Sequence, residues 1–293
     1  MPKARAAGAA LLAGLLILLL SPVSAAAAPD EVALPRVMST NLCADALLLG
    51  LADPAQIVSV SRKSQDPLRS SQAELAQRFP ANDGSAEEVI ALRPDVVLAS
   101  RRWQARHQVS LLSAHGIRIV TVTTPRDWTE IWASTREIAA HIGRAEAGEA
   151  IIAATQARIA SLPHPLQPAR ALYLRPNGGS AGAGTHVDAV LQAAGLRNHA
   201  AESGHRGWGR IALENVVANP PDLFVLSSMV NDGGHARSNY ARHPLMRALL
   251  AQRPAVQLEG NDWGCSNYQL ARAAEHISAE LVRLALAGPQ ARQ

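Results

Sequence analysis

The chain has 293 residues, a formal net charge of +4, a pI near 9.6 and a mean hydropathy close to zero. So small a net charge, with no basic run interleaved with aromatics, argues against a nucleic-acid binder. The length suffices for two lobes with separate cores or one large domain.

Lys3 and Arg5 make a positive start, Leu11 to Leu20 is a compact apolar run, and Ser24 to Ala28 supplies small residues for cleavage. Residues 1–28 therefore predict a secretory signal peptide, since the apolar run falls short of the roughly 20 residues that span a bilayer. The mature protein is expected in a periplasm, with the formal charge falling from +4 to +2 once Lys3 and Arg5 are gone. "RVMST" at 36–40 predicts a short buried strand, followed by a helix through "ADALLLGLA" and a second strand in "QIVSVS". The helix "AELAQRF" ends at Pro80, and Asn82-Asp83-Gly84 signals a turn. Ser85 with Glu88 three places on is a capping box that opens the next helix. Pro94 stops that helix, and "DVVLAS" reads as a strand buried on both faces of a parallel sheet. A helix over 104–115 ends at Gly116 before the strand "IRIVTV".

The rhythm then changes. Residues 127–162 keep helical apolar spacing without a strand, weakened only by Gly143 and Gly148, and predict one long connecting helix. After the Pro-rich "LPHPLQP", alternating strands and helices resume: "RALYL", "THVDAVLQAAGL", "LFVLS", "YARHPLMRALLAQ", "AVQL" and a closing helix from 267 to 286. The reading is α/β, with two Rossmann-like lobes of mostly parallel sheet at 29–126 and 163–293, a connector at 127–162 and a ligand cleft between the lobes. Cys43 and Cys265 either bridge or remain separate thiols; an exported pair permits both.

One short pattern occurs twice. "AEEVIALRPDVVLA" and "ALENVVANPPDLFVL" each run from Glu to Pro-Asp at one spacing, as Glu87–Pro94–Asp95 and Glu214–Pro221–Asp222. Proline ends each helix, but capping does not require both glutamates, because Glu214 has no Ser, Thr, Asp or Asn immediately ahead of it. Paired acids suit a partner with two matching cations.

Four blocks in order, "PRVMSTNLCADALLLGLADPAQIVSVS", "SAEEVIALRPDVVLA", "WGRIALENVVANPPDLFVL" and "NDWGCSNYQLARAAEHI", make the chain resemble class III periplasmic substrate-binding proteins of ABC importers. That family serves uptake of cobalamin, iron-siderophores and haem. The resemblance implies a monomeric carrier without a resident cofactor or catalysis, and an inner-membrane permease dimer whose arginines receive Glu87 and Glu214. A small-molecule metal chelate is the implied cargo.

Ligands of open parallel sheets bind beyond the carboxyl ends of the strands. The loops there nominate Asn41, Arg62, Arg101, Arg102 and Trp103 in the first lobe, and Arg175, Trp208, Arg210 and Trp263 in the second. Aromatic faces suit ring-rich chelates and arginines suit anionic ones. The cobalamin-binding member of the family also has tryptophan at the positions of Trp208 and Trp263. "RFPANDGS" lacks the tyrosine that haem-ligating members supply, and the Tyr or Trp of corrinoid binders is missing from residues 62–67. An anionic iron-siderophore is therefore expected ahead of a corrinoid. "PNGGSAGAGTHVD" ends in no Walker lysine and fails G-x-G-x-x-G. An exported α/β hydrolase is the competing class, though no G-x-S-x-G, H-E-x-x-H or zinc-type histidine spacing supports it.

Overall fold

The computed structural model describes residues 33–106, 109–165, 167–228, 239–259 and 263–286. The expected signal peptide lies outside these residues. Leu34–Gln293 forms one compact unit that carries two separate parallel sheets.

The first lobe runs β1 (Val37–Ser39), α1 (Leu42–Leu51), β2 (Ile57–Ser61), α2 (Ala73–Ala76), β3 (Ala81–Asn82), α3 (Ala86–Leu92), β4 (Val96–Ser100), α4 (Arg101–Gln104), α5 (Val109–Ala114) and β5 (Arg118–Val122). Its strands order as β3-β2-β1-β4-β5, all parallel. Val37, Val96, Leu98 and Val120 pack on one face with α1, while Met38, Val97 and Ala99 pack on the other with Val89 and Leu112. Burial on both faces is why "DVVLAS" lacks alternation.

The helical connector divides into α6 (Trp128–His141) and α7 (Ala145–Ala160), not the single helix expected over 127–162. Gly143 adopts φ +72°, the left-handed conformation that ends a helix and costs other residues dearly. The two helices fold back on each other: a Cβ on Gly148 would stand 2.6 Å from the Ala139 Cβ, and Arg136 pairs with Glu149. Along α6, Ile131 enters the core of the second lobe, whereas Ile138, Ala139 and the C-capping Ile142 enter that of the first. One helix thus pins both cores.

The second lobe runs β6 (Arg170–Leu174), β7 (Gly179–Ala181), α8 (His186–Ala193), β8 (Arg197–Asn198), α9 (His199–Glu202), β9 (Trp208–Arg210), α10 (Leu213–Ala218), β10 (Leu223–Ser228), α11 (Asn239–Arg242), α12 (Pro244–Gln252), β11 (Ala255–Glu259) and α13 (Leu270–Leu286). Its main sheet orders β11-β10-β6-β8, again parallel. In each lobe the opening strand is central, the next strand of the same sheet (β2 or β8) lies on one side, and the strand after Pro-Asp (β4 or β10) lies on the other. The segment over 240–252, expected as one helix, divides at Pro244, where His243 Nδ1 accepts from the Leu245 amide. Among the described residues, no helix is long and apolar enough to cross a membrane.

Candidate functional site

In the first lobe the carboxyl ends of β1 to β4 surround a cavity of about 430 Å³. Thr40 and Asn41 follow β1, Ser61 ends β2, Asn82 ends β3 and Ser100 ends β4, so the walls are polar because each strand terminates there. Asn41 N-caps α1 by accepting from the Cys43 and Ala44 amides. Asn82 staples the floor, donating from Nδ2 to the Ser39 carbonyl and Ser59 Oγ at 2.9 Å each. Beneath them Asp45 is fully buried, accepting from Ser39 and Ser61 hydroxyls and, at 2.8 Å, from the Ser61 amide. Burial raises its pKa to about 6 against the opposing pull of those hydrogen bonds.

Arg62 and Lys63 stand exposed at the rim, and Arg106 joins them. Arg62 forms a two-point contact with Asp83 at 2.9 and 3.2 Å, which holds the aspartate below the usual carboxylate range. An incoming anion therefore competes with Asp83 for that guanidinium. Arg101 and Arg102 are exposed in the first turn of α4 and stand outside the cavity. Arg106 was missed, although it lies about one turn beyond Trp103.

The tryptophans separate into two kinds. Trp103, expected as a ligand wall, does line the first-lobe cavity but is only 4% exposed; its Nε1 donates to the Gly84 carbonyl at 2.6 Å, and most of its ring packs with Met38 and Val97. Gly84 allows this approach by taking φ +73°. Trp263, also expected as a wall, is 3% exposed and lies against Tyr173 with ring centroids 5.3 Å apart. Both rings are large apolar surfaces that the nearby cores cover. Trp208 remains 46% exposed.

Trp208 is presented by an antiparallel pairing of β9 with β7, a strand that lies inside the Gly-rich stretch "PNGGSAGAGTHVD". The pairing returns the chain to Arg175, at the carboxyl end of β6. There the guanidinium carbon lies 4.8 Å from the Trp208 ring centroid, and Nε donates to the Tyr173 hydroxyl at 3.1 Å. Such cation–π contacts contribute about 0.5–1 kcal/mol when exposed. Tyr173 meets Trp208 edge-on, and the His186 ring lies 5.4 Å from it. His186 is buried, and its Nε2 has no partner among the described residues. Burial lowers its pKa to about 4, keeping it neutral. Arg210, two residues along β9, opens onto a neighbouring cavity of about 300 Å³ shared with His199, His205 and Asn215. Among the described residues, no three His, Cys, Asp or Glu side chains gather to hold a metal ion.

The carboxyl edges of the two sheets meet at one junction. Cys43, in the first turn of α1, and Cys265, beyond β11, form a disulfide. Next to it, Ser266 Oγ donates to the Pro125 carbonyl just beyond β5. Glu87 and Glu214 are exposed, each the second residue of its helix, α3 and α10. Neither makes an ion pair among the described residues.

Residues 37–257 match the family described as periplasmic binding protein. The chain belongs to that family. Comparison with curated protein sequences finds no match. Solved structures share the periplasmic binding protein fold. The periplasmic haem-binding protein HutB of Vibrio cholerae is 20% identical, with a TM-score of 0.70 over 84% of this chain and 98% of its own. A possible iron-binding periplasmic solute-binding protein from Staphylococcus epidermidis is 16% identical, with a TM-score of 0.65 over 85% and 98%. The vitamin B12-binding protein BtuF of Vibrio cholerae is 18% identical, with a TM-score of 0.57 over 85% and 97%. The α/β architecture with parallel sheets is as expected. A periplasmic binding protein is a solute carrier outside the cytoplasm that works with a membrane permease, which removes the hydrolase reading.

Proposed function

We propose that this periplasmic binding protein captures an anionic iron chelate of the ferric-siderophore class between its lobes and hands it to an ABC permease through Glu87 and Glu214. The observation that carries the reading is Arg175 held over the exposed Trp208, a cationic and aromatic wall in one unit. Arg62, Lys63 and Arg106 supply positive charge at the rim of the first-lobe cavity. Anionic ring-bearing chelates engage both kinds of group through charge-assisted hydrogen bonds and ring contact. The polar strand ends beneath add donors and acceptors for orientation.

Tryptophan fluorescence titrated with a ferric catecholate siderophore, haemin and cyanocobalamin tests this. The siderophore is expected to quench saturably with a micromolar to nanomolar Kd, roughly −8 to −12 kcal/mol. Trp208→Ala and Arg175→Ala are each expected to weaken binding about tenfold, or 1.4 kcal/mol. Preference for haemin or cyanocobalamin removes the siderophore assignment and leaves the carrier role standing.

A further inference from the structure

The two lobes are linked through the chain once, by the α6–α7 connector. The bond between Cys43 and Cys265 is a second, covalent link, closing 222 residues of sequence. Its ends lie against both candidate walls. On one side the Cys43 amide donates to Asn41, which lines the first-lobe cavity. On the other, Cys265 is two residues from Trp263, which packs on Tyr173 and through it reaches Trp208. The joint around the bond is not sealed core. A crevice of about 20 Å³ borders Cys265, with Leu42 and Gln72 from the first lobe and Asn267 from the second. Among the described residues, neither Gln72 Oε1 nor Asn267 Nδ2, both buried, has a hydrogen-bond partner. Both side chains border the same water-sized space, so direct side-chain contact does not fill the seam at that point. Both cysteines are half-buried, within reach of a small reductant.

We propose that the Cys43–Cys265 bond is a reducible clasp holding the lobes together beside the cleft, and that dithiol donors are the reagents that open it. One donor thiolate attacks a cysteine sulfur and releases the other as a thiolate. The second donor thiol then displaces the mixed disulfide. Two electrons and two protons pass from donor to protein, leaving two cysteine thiols and an oxidised, disulfide-bonded donor. The value of the clasp to transport rests on the carrier reading, but its mechanical effect does not.

The test needs no ligand, so its failure and that of the siderophore reading are separate. Free thiols are counted on the purified protein, with none expected; two would overturn the proposal at once. Hydrogen exchange is then followed in the oxidised protein, in protein treated with dithiothreitol, and in Cys43→Ser/Cys265→Ser. Residues 41–51 and 263–270 are expected to exchange about tenfold faster in both opened forms, while β1, β4, β6 and β10 hold their protection. Small-angle scattering is expected to report a larger maximum dimension. Unchanged exchange in those two segments overturns the clasp. So does equal acceleration across both sheets, which marks a bond that only stabilises the whole fold. The reduced wild type keeps the test open should the double variant fail to fold.

Discussion

Asp45 and His186 are buried titratable groups whose pKa values move in opposite directions. Asp45 is raised to about 6, so the folded chain holds a proton there that the unfolded chain releases near 3.8. Its contribution to stability is full at low pH and is lost as pH rises toward 6. His186 is lowered to about 4 from 6.5, so the unfolded chain binds the extra proton. Its contribution is full above 6.5 and is lost as pH falls toward 4. Each shift corresponds to about 3 kcal/mol in order of magnitude. Over pH 4–6 the two slopes therefore offset each other. Urea unfolding of the wild type is expected to vary little from these groups, while Asp45→Asn leaves stability climbing with pH and His186→Gln leaves it falling. Parallel profiles for all three proteins would remove both assignments. The sequence placed Asp45 and Asp188 in similar helices, but it could not show that Ser39 and Ser61 would gather around only the first. Asp188 instead takes a hydrogen bond from Asn198 at 3.1 Å.

The Pro-Asp junctions show what local pattern reveals about an element and what it omits. Pro94 and Pro221 are legible as helix stops because proline acts on its immediate neighbour. The work of the aspartates is not local. Asp95 accepts from the Arg36 amide at 2.7 Å, and the Arg36 guanidinium donates to the Arg93 and Leu92 carbonyls at the end of α3. In the second lobe Asp222 accepts from the Arg170 amide at 2.8 Å, while the Arg170 side chain reaches Asn219, Pro220 and Asp222. An arginine at the start of the central strand thus ties down the chain at a helix end far away in sequence in both lobes, through helix carbonyls in the first and through the residues just beyond the helix in the second. Arg170→Ala is expected to lower stability by about 1–2 kcal/mol, because the Pro220 carbonyl and Asp222 lose a charged donor. Arg283→Ala removes only an exposed pair with Glu280 and is expected to leave the urea midpoint nearly unchanged. Equal urea midpoints for the two variants would deny the clamp its role. The connector was misread for a related reason: helical spacing persists through Gly143, and only the packing of Ala139 against Gly148 reveals the fold-back. The β7–β9 pairing was hidden because each strand is three residues long and interrupted by glycine.

At the scale of the molecule, the duplication itself was legible because both lobes repeat whole helix–strand units, whereas the strand order and the contact between lobes were not. The disulfide lies 222 residues apart in sequence, and chain entropy assigns such a loop about 5 kcal/mol without saying whether the sulfurs meet. The duplication also gives the docking proposal its sharpest test. The competing explanation for Glu87 and Glu214 is that acids favour helix starts, by about 0.3–1 kcal/mol. The two helices differ in how much they need that help. At α3, Ser85 and Glu88 already form a complete capping box, so Glu87 adds little. At α10 no side chain caps the helix, so Glu214 carries more of the local stabilisation. Glu87→Lys is therefore expected to leave the unfolding midpoint nearly unchanged, whereas Glu214→Lys lowers stability by up to about 1 kcal/mol. Exposed pairs contribute little affinity but orient encounter, so both reversals are expected to cut uptake in cells sharply without altering ligand binding by the purified protein. Glu87→Lys separates the two explanations most cleanly, since a residue that only starts a helix would be silent there. Uptake at the wild-type rate in that variant returns Glu87 to an ordinary first-turn acid and takes the paired-cation partner with it.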